Sequence, residues 1–219
     1  MYGQVAQEYR ISGGLVNPRS KPGRGRNRPR NITLPEISDK INAVTYEIGG
    51  KIPRLIISAE EIRARIKEIG RELTAAYGGK NPIVVGILKG SFIFLADLVR
   101  EMDCEVEIDF VQTSSYREGM SPGALELLMG PSIQPSGRHV ILVEDLLDTG
   151  VTSSFVQRLL LSKNPASFAL CALVDKKERR EVPIEADYAG FALEHGFIVG
   201  FGTDYAEAGR NLPGIYVLE

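Results

Sequence analysis

The stretch VILVEDLLDTGVTSS, residues 140–154, decides both the fold and the site. Four apolar residues, Val140–Val143, are followed by two acids, then by Asp-Thr-Gly and a run of threonine and serine. Asp-Thr-Gly is also the signature of half an aspartic protease site, but such a site needs two facing carboxylates in a largely β structure. This chain contains one Asp-Thr-Gly. A homodimeric protease, or a helix-capping cluster without a ligand, stays open as an alternative.

The surrounding sequence predicts an α/β fold. Short apolar runs indicate strands at 83–88, 104–112, 140–143 and 167–174. A capping box, Ser58 with Glu61, begins a helix that runs to about Ala76, and further helices follow Ser91 and Gly150. Strands that alternate with helices favour a mostly parallel central sheet with helices on both faces. Two more strands, near Tyr188–Phe191 and Phe197–Phe201, are expected to form a small hood.

The domain organisation follows from composition and charge. Residues 1–30 carry seven Lys and Arg and one Glu, a balance of 7 − 1 = +6, and are rich in Gly, Pro and Asn. This pattern predicts a disordered basic arm over residues 1–35. Residues 36–219 are expected to form one domain, with the hood built from N- and C-terminal segments. Residues 113–137, dense in Ser, Gly and Pro, are expected to form a flexible flap.

Composition excludes several classes of site. Of 219 residues, 43% are hydrophobic, enough for one substantial core. Cys104 and Cys171 lie in apolar runs, which favours buried free thiols over a disulfide or a nucleophile. Two histidines without a CxxC pair argue against a zinc site or a histidine-activated nucleophile. No run is long enough to cross a bilayer and no secretory signal is evident, so a cytoplasmic protein without a membrane partner is expected.

The residues from Asp148 to Ser153 predict a phosphate site. They lie between a predicted strand and helix, where an open α/β sheet binds ligands and where unpaired helix amides attract anions. Gly150 allows close approach, and the threonine and serine hydroxyls add donors. Glu144 and Asp145 would then face the cis-diol of a ribose, so the spacing describes a ribose 5-phosphate. Neither a Walker loop nor a Rossmann fingerprint is present.

Several segments carry a resemblance to a known family. VILVEDLLDTGVTSS looks like the phosphoribosyl pyrophosphate motif of type I phosphoribosyltransferases. ILKGSFIF (87–94), SSYREGM (114–120), LVDKKERR (173–180) and FIVGFGTDYAEAGRNLP (197–213) resemble, in order and spacing, segments of the hypoxanthine-guanine phosphoribosyltransferases. The resemblance covers about residues 45–219. It implies the type I phosphoribosyltransferase fold, with its small hood.

The resemblance implies a set of residues that bind phosphoribosyl pyrophosphate, namely Lys89, Gly90, Ser115, Tyr116, Glu144, Asp145, Asp148, Thr149, Gly150, Val151, Thr152 and Arg210. In this family the segment that corresponds to Leu88–Gly90 is a pyrophosphate loop, often with a cis peptide bond. Ser115 and Tyr116 would lie on the flap. Thr149–Thr152 would hold the 5′-phosphate, and Arg210 would reach pyrophosphate.

The same resemblance implies a purine site made of Lys176, Phe197, Ile198 and Asp204. Lys176 would recognise the 6-oxo group, Phe197 would stack on the ring, and the Ile198 backbone would meet the base edge. Asp148 would be the catalytic residue, a general base beside N7. Mg²⁺ is the implied cofactor, with Glu144, Asp145 and Asp204 as its ligands.

The implied activity is purine salvage, in which hypoxanthine or guanine reacts with 5-phosphoribosyl 1-pyrophosphate to give IMP or GMP and pyrophosphate. The expected partners are a 6-oxopurine, the phosphoribosyl donor and other copies of the chain in a homodimer or homotetramer. Nucleic acid is not an expected partner, although the basic arm leaves it open. Two alternatives remain at this point: a phosphoribosyl-sensing regulator that binds nucleic acid, and an enzyme that prefers xanthine.

Overall fold

The structure is a computed structural model that describes residues 29–32, 46–115 and 125–219. These residues form strands and helices with the following bounds: β1 Arg30–Ile32, β2 Arg54–Ile57, α1 Ala59–Tyr77, β3 Ile83–Leu88, α2 Phe92–Arg100, β4 Glu107–Ser115, β5 Leu125–Met129, β6 His139–Leu147, α3 Val151–Leu161, β7 Ser167–Lys176, β8 Tyr188–Leu193, β9 Phe197–Val199 and β10 Ile215–Leu218.

Seven strands form the central sheet, in the order β1-β8-β7-β6-β3-β4-β5. Neighbouring strands are parallel except β4 and β5, which are antiparallel. The middle strands β3, β6 and β7 consist largely of buried apolar residues; all of Val140–Val143, for example, is buried. Parallel strands of this kind are covered on both faces, which explains their continuous apolar runs. The predicted α/β class with a mostly parallel sheet is confirmed.

Helices cover both faces of this sheet. α1 and α2 pack on one face, where Ile66 and Leu98 join a core cluster with Val84 of β3. α3 packs on the other face through Val156, beside Val85 of β3. Adjacent strand residues point to opposite faces, so the two clusters lie on opposite sides of the sheet. No helix in the described part of the chain is long and apolar enough to cross a membrane.

The first helix begins as the sequence predicts. Ser58 Oγ accepts a hydrogen bond from the Glu61 amide, and the Glu61 carboxylate accepts one from the Ser58 amide. This reciprocal capping box satisfies two amides that a helix start otherwise leaves unpaired. The helix ends at Tyr77, before Gly78.

A second, three-stranded sheet has the order β2-β10-β9. Its pairs are antiparallel, and it combines a segment that precedes α1 with the last strands of the chain. Leu55, Val199 and Tyr216 belong to its own small core cluster. This small sheet corresponds to the hood that the family resemblance implies.

The prediction that Tyr188–Phe191 belongs to the hood is wrong. These residues begin β8, which pairs in parallel with β7 through Cys171 opposite Tyr188 and Val174 opposite Phe191. Tyr188 and Phe191 are buried in the main core. Their apolar side chains therefore extend the central sheet, and the hood takes the later strand β9.

The central strand β6 is longer than predicted. The sequence suggests an end near Val143, but the ladder with β7 continues from Glu144, opposite Ala172, to Leu147, opposite Asp175. Backbone hydrogen bonds of a strand do not depend on apolar side chains, so the two acids lie inside β6. The alternation of side chains along the strand therefore directs the Glu144 and Asp145 side chains to opposite faces of the sheet.

Strands also occur in segments predicted to be irregular. Residues 113–115 continue β4, and β5 pairs with β4 inside the predicted flap. Arg30–Ile32, inside the predicted arm, pairs with β8. Residues 1–28, 33–45 and 116–124 lie outside the described residues, so the disorder of the arm and the mobility of the flap stay predictions.

Arg65 fastens α1 to β8. Its side chain is buried, and it donates from Nε to the Gly190 carbonyl at 2.9 Å and from Nη2 to the Ala189 carbonyl at 2.8 Å. It also lies 2.6 Å from a carboxylate oxygen of Glu68. A buried guanidinium with these acceptors links two elements that the sequence separates by more than a hundred residues.

We expect Arg65→Met to lower the free energy of unfolding by about 2–4 kcal/mol, because it removes the donor from two buried carbonyls. Urea unfolding followed by circular dichroism measures the change. Arg63→Met is the matched control, since Arg63 is exposed and pairs with Glu60 on the same helix. It should cost less than about 0.5 kcal/mol. Equal losses in the two variants would contradict the role of Arg65.

Candidate active site

A cavity of about 410 Å³ opens where the carboxyl ends of the central strands meet. Leu88 at the end of β3, Thr113 near the end of β4 and Lys176 at the end of β7 contribute to its wall. The cavity therefore lies at the edge where open α/β sheets bind ligands.

The wall of this cavity contains most of the residues predicted to bind substrate, namely Lys89, Gly90, Asp145, Asp148, Thr152, Lys176, Phe197, Ile198, Asp204 and Arg210. Five further wall residues were not predicted as binding residues, namely Ile87, Thr113, Leu146, Gly196 and Thr203. They are apolar or small, and nothing in their residue types separates them from ordinary core or turn positions. Leu88 was predicted as part of the pyrophosphate loop.

The remaining predicted residues fall into two groups. Glu144, Thr149, Gly150 and Val151 are described and lie outside the cavity wall. Ser115 ends β4, and its side chain lies outside the described structure, as does the whole of Tyr116. The residues from distant parts of the chain thus converge, and the two flap positions remain predictions.

Residues 148–152 run from the end of β6 into the first turn of α3. We call them the phosphate turn after their predicted role. Gly150 precedes the helix with a left-handed backbone, φ +78°. A Cβ atom there would lie 2.4 Å from Ile184 Cγ2, so glycine is required by both backbone and packing. The Val151 amide donates to Thr149 Oγ1 at 3.3 Å. The amides that begin α3 carry partial positive charge, which suits an anion at this edge of the sheet.

Asp148 and Lys176 lie side by side in the cavity wall. Lys176 Nζ lies 3.6 Å from Asp148 Oδ1, and its side chain is 6% exposed. Arg179 Nη1 lies 3.5 Å from Asp148 Oδ2. Asp148 Oδ1 is buried, and none of the described residues donates a hydrogen bond to it. An acceptor in this position is available to a ligand that brings its own donor.

Asp145 lies against the loop that follows β3. A Cβ atom on Gly90 would lie 2.2 Å from Asp145 Oδ2, so the glycine permits the loop to approach the acid. The peptide bond between Leu88 and Lys89 is cis, as the family resemblance implies. Burial raises the pKa of Asp145 to about 6.

Glu144 points away from the wall, because neighbouring strand residues face opposite sides. Its side chain is buried and accepts a hydrogen bond from the hydroxyl of Ser153 on α3. Burial raises the pKa of Glu144 to about 8. Of the two acids predicted to face a ribose, Asp145 lies in the cavity wall, whereas Glu144 lies outside it and links β6 to α3 through Ser153.

Two further cations, Lys89 and Arg210, belong to the cavity wall. Arg210 Nη2 lies 2.7 Å from Asp204 Oδ1, and Arg210 Nη1 donates to the Gly202 carbonyl at 2.8 Å. Lys89 Nζ lies 3.1 Å from a carboxylate oxygen of Glu207, which also lies 3.3 Å from Arg210 Nη2. One carboxylate thus contacts both cations and holds them close together in the cavity wall.

Phe197 presents an aromatic ring at the cavity. Its side chain is 46% exposed, while the adjacent Ile198 is buried. The ring of Tyr205 packs edge-on against Phe197, with 5.5 Å between the centroids. A partly exposed ring supported from the side can stack on a flat ligand.

The raised pKa of Glu144 predicts that stability falls as the pH rises. The folded chain holds a proton that the unfolded chain releases above the ordinary value of 4.5, so this stabilisation is complete below pH 4.5 and is lost toward about pH 8. Glu144→Gln mimics the protonated acid. It should reduce the loss of stability between about pH 5 and pH 8 by at least about 1 kcal/mol. Urea unfolding across this range measures the slope, with the exposed Glu60→Gln as control; identical slopes in all three proteins would refute the assignment.

Comparison with known proteins identifies the family. The family model of the phosphoribosyl transferase domain matches residues 56–206. The hypoxanthine-guanine phosphoribosyltransferase of Aquifex aeolicus is 45% identical over 175 residues, which cover 79% of this chain and 98% of that protein. The protein of the same name from Lactococcus lactis is 44% identical over 169 residues, 77% of this chain and 92% of that protein.

Solved structures agree with these sequence relatives. A hypoxanthine phosphoribosyltransferase from Staphylococcus aureus superposes with a TM-score of 0.72 at 38% identity, over 76% of this chain and 91% of that chain. A hypoxanthine-guanine phosphoribosyltransferase from Bacillus anthracis gives 0.71 at 37% identity, over 77% of this chain and 98% of that chain. The chain belongs to the hypoxanthine-guanine phosphoribosyltransferases, within the phosphoribosyltransferase family.

Proposed function

We propose that this chain is a purine salvage enzyme that transfers the phosphoribosyl group of 5-phosphoribosyl 1-pyrophosphate to hypoxanthine or guanine. The products are IMP or GMP and pyrophosphate. One observation carries the proposal: the buried Asp148 oxygen, which no described residue supplies with a hydrogen bond, faces Lys176 in a cavity that begins at the phosphate turn. A 6-oxopurine offers the matching groups, a donor at N7 and an acceptor at O6.

The base is held by three contacts in this proposal. Lys176 donates from its ammonium group to O6 of the purine. Phe197 stacks on the ring, and the backbone at Ile198 meets the edge of the base. Because Lys176 is a donor without acceptor capacity, the site disfavours adenine, whose 6-amino group is itself a donor.

In the transfer reaction one bond forms, one bond breaks and one proton moves. N9 of the purine attacks C1′ of the ribose, and the bond between C1′ and the pyrophosphate oxygen breaks with its electron pair on pyrophosphate. The proton on N7 passes to the carboxylate of Asp148, which acts as the general base. Lys89 and Arg210, both in the cavity wall, stabilise the negative charge of the departing pyrophosphate.

The carboxylates in the cavity fit Mg²⁺. Asp145 and Asp204 both lie in the wall. In the described ranges, no group of three or more His, Cys, Asp or Glu side chains could hold a metal by itself. Two carboxylates suffice for Mg²⁺, which keeps several waters and binds through one or two acids plus substrate phosphates. When bound there, Mg²⁺ adds positive charge beside the pyrophosphate oxygens; Glu144, bonded to Ser153, is not needed as a ligand.

The proposal includes assembly into a homodimer or homotetramer. Ile108 on β4 and Leu128 and Met129 on the edge strand β5 are large hydrophobic residues that are 40–54% exposed. The hypoxanthine phosphoribosyl transferase of Trypanosoma cruzi is a solved relative that is 34% identical to this chain. In that protein the C-terminal region has a role in the oligomeric state and the enzymatic activity. Sedimentation velocity determines the state in solution.

A cytoplasmic location also belongs to the proposal. Cys104 and Cys171 are free thiols in the structure, and free thiols persist in a reducing compartment.

Initial rates with hypoxanthine, guanine, xanthine and adenine test the function, each measured with the phosphoribosyl donor and Mg²⁺. We expect turnover with hypoxanthine and guanine and much slower reaction with adenine. A clear preference for xanthine would correct the substrate. Absence of turnover with all four bases would overturn the proposal.

Asp148→Asn should lower kcat by about 10²- to 10⁴-fold, because an amide cannot accept the purine proton. The KM values should change little, since the amide keeps the shape of the side chain. Asp103→Asn, at an exposed position outside the cavity, is the matched control. Wild-type turnover in Asp148→Asn would show that another group is the base.

A further inference from the structure

Residues 180 and 181, in the segment after β7, donate hydrogen bonds to backbone carbonyls at the end of β6 and just beyond it. Arg180 Nη2 donates to the Leu147 carbonyl at 2.9 Å, and Arg180 Nε donates to the Asp148 carbonyl at 2.8 Å. The Glu181 amide donates to the Thr149 carbonyl at 2.9 Å. Three successive carbonyls therefore point to this segment. In a trans peptide the amide hydrogen points opposite to the carbonyl, so the amides that follow these carbonyls face the other way.

The same guanidinium reaches the end of β7. Arg180 Nη2 lies 2.6 Å from Asp175 Oδ1 and donates to the Lys176 carbonyl at 3.3 Å. A single planar group thus binds the backbones of Asp148 and Lys176, whose side chains face each other in the cavity. The Arg180 side chain is 13% exposed, so water competes little for these acceptors.

Packing reinforces this link. Arg180 Nη1 donates to the Ile184 carbonyl, which turns the segment back on itself. A Cβ atom on Gly150 would lie 2.4 Å from Ile184 Cγ2 and 3.1 Å from Arg180 Cδ and Val182 Cγ2. The phosphate turn therefore packs closely against segment 180–184.

We propose that Arg180 is a positioning residue for the transfer reaction. Its guanidinium fixes the separation of the Asp148 carboxylate and the Lys176 ammonium. Through the Leu147 and Asp148 carbonyls it also keeps the Asp148 and Thr149 amides directed away from segment 180–184. Arg180 lies outside the cavity wall and acts through the residues it holds. The role rests on the proposed function. It requires a guanidinium, because a lysine ammonium cannot reproduce the planar set of donors.

Two substitutions, Arg180→Ala and Arg180→Lys, test the role beside the wild type. We expect kcat/KM for the phosphoribosyl donor to fall by about 100-fold in both, with lower kcat and higher KM, since a shift of about 1 Å is enough for such a loss. The melting temperature and the circular dichroism spectrum confirm that each protein is folded. Lys177→Met is the matched control, because Lys177 is exposed and lies 4.0 Å from the same Asp175.

Chemical rescue separates positioning from simple stabilisation. Guanidinium ion at millimolar concentration should restore part of kcat in folded Arg180→Ala, while sodium at equal ionic strength should not. Wild-type kinetics in Arg180→Ala or Arg180→Lys would overturn the role. Failure of both variants to fold, or losses explained by the folded fraction alone, would assign Arg180 to stability instead. An inactive wild type would refute the proposed function itself, and with it the role of Arg180.

Discussion

The close packing between the phosphate turn and residues 180–184 is the constraint on which the site depends. Gly150 has a left-handed backbone, which favours glycine, and it tolerates no Cβ because Ile184 occupies the space that a side chain would need. This contact lies between the end of β6 at Leu147 and the start of α3 at Val151. Asp148 and the first amides of α3 flank it, so the proposed phosphate and base sites share one support.

The distribution of charge in the cavity follows the needs of the reaction. Asp148 lies beside Lys176 on the side proposed for the base. Lys89 and Arg210 lie beside Asp204 and Glu207 on the side proposed for pyrophosphate. Bond cleavage separates a positively charged ribose from a negatively charged leaving group, and fixed charges at both ends stabilise that separation without reorganisation. Asp145, which lies in the cavity wall against Gly90 of the β3 loop, is the acid proposed for ribose hydroxyls or a metal.

The sequence predicts the strands and helices best where periodicity and capping residues agree. The buried run Ile83–Leu88 and the capping box of Ser58 and Glu61 are found as expected. The end of β6 could not be read from the sequence, since acidic side chains interrupt the apolar pattern and leave the backbone ladder intact. Tyr188–Phe191 was misplaced because a short apolar strand does not reveal which sheet it joins.

The sequence also predicts some features of the site and misses others. Residue types, spacing and the family resemblance single out Asp148, Thr152 and Lys176, and the structure brings these three into one cavity wall, while their binding roles stay predictions. The face of the sheet to which Glu144 points can be predicted only when the register of β6 is known. The hydropathy pattern does not predict that register. The contacts of Arg180 depend on how a long side chain crosses beneath the turn, and no sequence spacing encodes that path.

A crystal structure of the chain with IMP tests the central claim most directly. The 5′-phosphate should lie about 3 Å from the backbone amides of residues 149–152, with O6 of the purine beside Lys176 Nζ and the ring on Phe197. A nucleotide bound with its phosphate elsewhere, or amides of the phosphate turn bonded to protein groups in its presence, would contradict the claim that this turn clasps a ribose 5-phosphate.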